Sequence, residues 1–155
     1  VRIRTLTTEL WMPRPLGEVF AFFSDAANLD VLTPPWLHFQ IRTPAPIPMA
    51  AGTLIDYTIR WRGVPLSWRT EIATWEPPVR FVDRQAKGPY RQWVHEHTFE
   101  ARDGGTLMRD RVDYAVPGWL FEPLVARWLV APDVERIFAY RREKMTALFG
   151  YPAAK

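Results

Sequence analysis

The chain is predicted to be an α+β domain, a curved antiparallel β-sheet wrapped around a long C-terminal α-helix, with two short helices after the first strand. Three observations predict it. Between Thr53 and Ala115 apolar residues recur at period two in runs separated by turn signals, the pattern of a meander of antiparallel strands with one buried face. After Pro117 the apolar spacing becomes helical and stays so to the end. The only other helical spacing lies in one short stretch after the first strand, so helices gather on one face of the sheet instead of alternating with strands.

The segment Val1–Trp11 (VRIRTLTTELW) alternates β-branched and polar residues and reads as a strand that ends at Pro13. In the following PRPLGEVFAFFSDAANLDVLTPP, Val19, Phe20 and Phe23 and then Leu29 and Leu32 fall at helical spacing. Pro15 suits a first helical turn and Asp25 suits the cap of a second short helix. A short strand around Phe39 and Ile41 and a Pro-rich connection from Thr43 to Pro48 lead into the meander. In the last helix Leu124, Trp128, Val134, Ile137, Phe138, Met145 and Leu148 form an apolar stripe, with Pro123 at its start and Pro132 marking a kink. Arg141 and Arg142 are expected on its solvated face.

Composition bounds the function. A chain of 155 residues with 48% hydrophobic and 24% charged residues has enough apolar material for one core, so a single domain is expected over 1–155. Eight Trp, nine Phe and five Tyr supply flat, partly polar surfaces suited to cores and to ligand cavities alike. With no Cys there is no disulfide, thiolate metal site or Cys nucleophile, which suits a reducing compartment, and the cytoplasm is the expected location. No apolar run reaches about 18 residues, so no integral membrane segment is expected, and no signal segment is visible. The net charge of +3 comes from Arg scattered among acidic residues, with no basic stripe for nucleic acid. Ser24 and Ser67 lie in no nucleophile motif and no Gly-rich phosphate loop follows a strand, which argues against hydrolase and nucleotide chemistry.

Turn positions set the faces, because opposed residues in an antiparallel pair point the same way. A two-residue loop at Arg62–Gly63 pairs Ile59 with Leu66, Tyr57 with Trp68 and Ile55 with Thr70. A loop at Asp103–Gly104 pairs Phe99 with Met108, His97 with Asp110, His95 with Val112 and Trp93 with Tyr114, whereas a loop at Gly104–Gly105 would shift partners by two but keep the faces. Arg69, Glu71, Gln92, Glu96, Arg109, Arg111 and Asp113 fall on the other, wet face. Around Gly88–Pro89 two registers are open. A three-residue loop, preferred here, puts Phe81, Asp83 and Gln85 inward with Trp93, whereas a two-residue loop turns Asp83 outward.

With WVHEHTFE (Trp93, His95, His97, Phe99), GGTLMRDRVDY (Gly105, Thr106, Asp110, Tyr114), the preceding FVDRQAKGPY and the closing IFAYRREKMTALFG, nearly the whole chain resembles the START-like (SRPBCC) superfamily of helix-grip proteins, near its polyketide cyclase/dehydrase group. The resemblance implies a deep cavity between sheet and last helix for lipids, polyketides or other hydrophobic molecules. It does not by itself imply catalysis, since one fold hosts many functions.

The candidate ligand-binding residues are Tyr57, Ile59, Trp68, Phe81, Trp93, His95, His97, Phe99, Asp110, Tyr114, Phe138 and Met145. Three readings follow from them. The first is binding or transport of a small hydrophobic molecule, motivated by the inward aromatic surface. The second is a cyclase or dehydratase in which His95, His97, Asp110 and perhaps Asp83 move protons, a carboxylate holding one imidazole nitrogen while the other works. The third is a protein-interaction module with a vestigial cavity. Two imidazoles with Asp110 or Asp83 could also face one metal ion, but the remaining ligands would have to be assumed, so neither metal nor cofactor is expected.

Overall fold

The computed structural model describes residues 1–118 and 121–150. The chain runs β1 (Arg4–Met12), α1 (Leu16–Phe23), α2 (Asn28–Leu32), β2 (Gln40–Ile41), β3 (Leu54–Trp61), β4 (Val64–Glu76), β5 (Arg80–Lys87), β6 (Gln92–Arg102), β7 (Gly105–Ala115), α3 (Glu122–Val125) and α4 (Ala131–Phe149). The strands form one antiparallel sheet in the order β1-β7-β6-β5-β4-β3-β2. This is the helix-grip α+β architecture.

Both tight hairpins have the pairing the turns predict. Arg62 and Gly63 both take positive φ, as do Asp103 and Gly104, the geometry of a two-residue loop whose twist matches its strands. Tyr57 therefore opposes Trp68, and His97 opposes Asp110. The open register is settled by Asp83 opposing His95 and Phe81 opposing His97, which is the three-residue parity. Pairing there stops at Arg84, and Gln85 spends its amide on the loop, donating to the Tyr90 carbonyl and accepting from its N–H. Register shifts at Arg69/Thr70 and Ile72/Thr74 bend β4, and such irregularities increase local twist. A bent β4 carries β3 and β2 around toward the helix.

Near the start, α1 buries Val19, Phe20 and Phe23, and Asp25 accepts the Ala27 N–H at 3.0 Å in the turn before α2. The C-terminal helix differs from the predicted stripe at Leu124 and Trp128 in its first part and at Leu148 near its end. Pro132 has no N–H to give and its ring crowds the preceding turn, and Ala126–Val130 form a wider π-helical turn. That turn rotates the faces. Val134, Phe138, Arg141, Met145 and Phe149 are buried, whereas Leu124, Trp128 and Leu148 are exposed.

Two apolar clusters flank the space under the helix. Phe20, Phe23, Phe81, Phe99, Met108, Met145 and Phe149 pack at one end. Val112, Tyr114, Val130, Val134 and Phe138 pack at the other. Between them and the inner faces of β3 and β4 the interior is open. No described helix is long and apolar enough to cross a membrane.

Candidate functional site

The hollow has a volume of about 440 Å³, within the range of ligand pockets. Tyr57, Ile59, Leu66, Trp68 and Thr70 form its wall on the β3–β4 side, with Trp93 and Tyr90 at one end and Ile137 and Phe138 from α4 above. Tyr57 stacks on Trp68 with ring centroids 5.8 Å apart, and Trp93 meets Trp68 edge-on at 5.6 Å. These rings brace one another and present flat apolar surface inward. Burial pushes the Tyr57 hydroxyl far above its ordinary pKa, so it stays protonated, 3.3 Å from Thr70 Oγ1. At the mouth of the β3–β4 hairpin, Trp61 Nε1 donates to Asp133 Oδ2 at 2.7 Å and fastens the hairpin tip to the start of α4.

The cavity ends on a cluster of charge. His95 and His97 are alternate residues of β6 and project to the same face, with ring centroids 3.7 Å apart. Phe81 stacks on His97 at 4.0 Å, and Phe138 meets His95 edge-on at 5.4 Å, so each imidazole is clamped by one of the two apolar clusters. Asp110 Oδ1 lies 2.7 Å from His95 Nε2 and 3.1 Å from His97 Nδ1. Asp83 Oδ2 lies 2.6 Å from His97 Nε2 and 3.9 Å from His95 Nδ1. Arg141 Nη2 stands 3.8 Å from Asp110 Oδ1.

Burial opposes charge on every member, and neighbours decide the outcome. For Asp110, burial disfavours the anion, but the Arg141 charge and the hydrogen bonds from His95 and His97 hold its carboxyl well below the ordinary range. Asp83 is likewise held low, burial being outweighed by the His97 hydrogen bond and the charges of His95, His97 and Arg141. His97 is raised because its two carboxylates overcome burial. His95 is lowered, as burial and the adjacent His97 charge outweigh Asp110. The two rings thus part ways: His97 favours the imidazolium and His95 the neutral ring.

Of the candidate residues, Tyr57, Ile59, Trp68, Phe81, Trp93, His95, His97 and Phe138 line the cavity, and so does Asp83. Four do not. Phe99 and Met145 sit in the first apolar cluster and Tyr114 in the second, because α1 and α4 cover β1, β6 and β7 and fill the space over their inward faces. Asp110 is 4% exposed and sits behind the imidazoles, reaching the cavity only through them. Arg141 corrects the expectation of a solvated face, since it is buried and borders the cavity. Its signal was present in the sequence: counted from Val134 and Phe138, position 141 falls within the buried stripe. Arg142 does face water, donating to the Glu9 carbonyl.

The profile of a family described as polyketide cyclase / dehydrase and lipid transport matches residues 12–138. The chain belongs to this family. No curated protein matches this cyclase/dehydrase family member in sequence. Solved structures share its fold at low identity. The Zhui aromatase/cyclase of Streptomyces sp. R1128 aligns with a TM-score of 0.75 at 16% identity, over 95% of this chain and 93% of that one. Major latex-like protein 151 of Panax ginseng gives 0.66 at 9%, covering 95% and 97%. A nucleoside-diphosphate sugar epimerase of Corynebacterium glutamicum gives 0.68 at 24%, and the family member spans 92% of its own length but 28% of that chain. Identities this low carry the fold alone.

Proposed function

We propose that the protein binds a small hydrophobic molecule, with an apolar and largely flat body held against Tyr57, Trp68 and Trp93 and a polar group directed at His95, His97 and Asp83. The observation that carries this reading is an apolar cavity of about 440 Å³ with its charged side chains gathered mainly at one end. An aromatic wall gives apolar contact without fixed geometry, and a few convergent polar groups set orientation. The open volume also argues against a vestigial cavity in an interaction module. The test is uptake of an environment-sensitive naphthalene dye, together with native mass spectrometry of the purified chain. Ile59→Trp and Leu66→Trp, which fill the cavity from its wall, are expected to weaken uptake at least tenfold while the protein stays folded. Undiminished uptake by both variants would remove the cavity as the binding site.

A second reading, acid–base chemistry of the cyclase or dehydratase kind, is favoured by one specific arrangement. Asp110 holds His95 Nε2 at 2.7 Å, and His95 Nδ1 is left toward Asp83 and the cavity. A neutral imidazole oriented by a carboxylate is a competent base for a proton next to a carbonyl. The fold neighbour Zhui is an aromatase/cyclase. Under this reading His95→Gln abolishes turnover of a poly-β-ketone-type substrate yet retains dye uptake, and equal rates for variant and parent would sink it.

A further inference from the structure

Asp83 and His95 are direct cross-strand partners, and His97 lies on the same face two residues along β6. A donor atom of each lies within 4.8 Å of the others. The forward-facing atoms are Asp83 Oδ2, with His97 Nε2 at 2.6 Å and His95 Nδ1 at 3.9 Å. The rear nitrogens, His95 Nε2 and His97 Nδ1, both turn to one oxygen, Asp110 Oδ1. A carboxylate behind an imidazole takes the ring proton there, fixes the tautomer and leaves the other nitrogen as a lone pair, which is the arrangement found behind metal-bound histidines. His95 Nδ1 is one such lone pair, and a cation that displaces the proton between His97 Nε2 and Asp83 Oδ2 gains a second. A proton on His97 Nε2 answers the short contact only, whereas one metal ion answers all three donors.

We propose that Asp83, His95 and His97 bind one divalent transition ion of the zinc or iron(II) type, with Asp110 orienting both imidazoles and the remaining coordination positions open to the apolar cavity. Two imidazoles and a carboxylate suit these ions, whereas magnesium and calcium take oxygen ligands. The spacing needs a small adjustment. Bonds of about 2.0–2.1 Å at tetrahedral angles set donors roughly 3.3 Å apart, so Asp83 Oδ2 would move away from His97 Nε2, now at 2.6 Å, and toward His95 Nδ1, now at 3.9 Å. Charge permits it, because a divalent ion displaces the His97 proton, and the Asp83 and Asp110 carboxylates then exceed the single Arg141 guanidinium. An ion placed here would polarise an oxygen of whatever molecule fills the cavity. The proposal stands apart from the carrier reading, since dye uptake by metal-free protein reports on the cavity alone.

The experiment is titration of the untagged, chelator-treated chain with Co²⁺, followed by visible absorption and calorimetry, with Zn²⁺ as competitor. Saturation at one equivalent per chain and displacement by Zn²⁺ are expected. His95→Ala and Asp83→Asn should each weaken binding at least tenfold, and Asp110→Asn by about 10–100-fold through loss of the orienting contact. His38 is the remaining imidazole of the three in the chain and is exposed, so His38→Ala should bind as the parent does. Should the buried variants fold poorly, paramagnetic broadening in the parent gives the answer: Co²⁺ must broaden the amide signals of Asp83, His95 and His97 and spare those around His38. Absence of saturable binding, loss of binding in His38→Ala, or parent-like affinity in His95→Ala and Asp83→Asn would each overturn the proposal.

Discussion

Replacing Arg141 by Met tests whether the charged cluster is one unit. The side chain is 11% exposed and its Nη2 is 3.8 Å from Asp110 Oδ1. At that separation and an effective dielectric near 20, the attraction is about 4 kcal/mol. Asp110 keeps its contacts to His95 and His97 when the guanidinium is lost, so the net cost falls at the low end of the range for a broken buried pair, about 3 kcal/mol. For a domain of this size that corresponds to a drop in Tm of about 6–12 °C. Urea denaturation followed by Trp fluorescence measures it. The adjacent Arg142 faces water, and Arg142→Met should change stability by no more than about 0.5 kcal/mol. In a double-mutant cycle, Arg141→Met and Asp110→Asn should couple by about 1–3 kcal/mol. A loss below about 1 kcal/mol in Arg141→Met, or additivity with Asp110→Asn, would show that the guanidinium does not stabilise the cluster.

Phe99→Ala removes a ring packed against Phe20, Phe23 and Phe81 and should cost about 3–5 kcal/mol while leaving dye affinity unchanged; Trp68→Leu, on the cavity wall, should weaken the dye more than it weakens the fold, and the reverse pattern would exchange the two assignments. On the outer face, Arg69 grips Asp56 through two hydrogen bonds at 2.7 and 3.0 Å, and that hydrogen bonding, against a small opposing effect of burial, holds the Asp56 carboxyl below its ordinary 3.8. Its stabilisation is complete above the ordinary value and fades as pH falls through the lowered one, so the stability difference between parent and Asp56→Asn, small at pH 7 because both side chains are solvated, should narrow further at pH 3. Replacing Asp83, His95, His97, Asp110 and Arg141 together by apolar residues of similar volume should leave stability unchanged or raise it by about 1–4 kcal/mol, read by thermal denaturation, with a loss of ordered folding as the contrary result.

What the sequence makes legible is what local rules control. Arg62–Gly63 and Asp103–Gly104 demand positive φ at both loop positions, and once those loops close, every partner along β3–β4 and β6–β7 follows by counting. The inward placement of Tyr57, Trp68, His95, His97 and Asp110 could therefore be read without coordinates. Whether an inward residue meets cavity or core could not, because that depends on which part of the sheet the helices cover. Phe99 and Ile59 obey the same alternation, yet α1 lies over one and the cavity borders the other. Arg141 was hidden for another reason. Its charge argued for water and its helical phase argued for burial, and the phase prevailed because Asp110, more than two dozen residues earlier on β7, waits there to balance it. A contact of that sequence separation leaves no local trace.

The energetics of the cluster bear on what the cavity is for. Each ion taken out of water costs several kcal/mol, and mutual attraction repays that only when the geometry is good and the remaining donors and acceptors are met. Here Asp110 is met by two imidazoles and a guanidinium, whereas the forward side of the cluster, Asp83 Oδ2 and the two nitrogens near it, opens on apolar walls. The Asp110 carboxylate is satisfied by the protein, although the buried Arg141 Nε has no partner among the described residues, and the forward half is left to whatever enters. Stability alone would be served as well by Leu and Phe at these positions. A holder of purely aliphatic molecules would gain nothing from such an end wall, since an apolar guest pressed against it would strip water from charge and receive no hydrogen bond in return. A guest with a carbonyl, hydroxyl or carboxylate at one end recovers that loss, and so would a metal ion that shares its open positions with the guest. The polar end wall therefore selects for amphipathic over purely apolar guests, and affinity for a naphthol should exceed that for naphthalene in the parent by a margin that disappears when Asp83, His95, His97, Asp110 and Arg141 are made apolar.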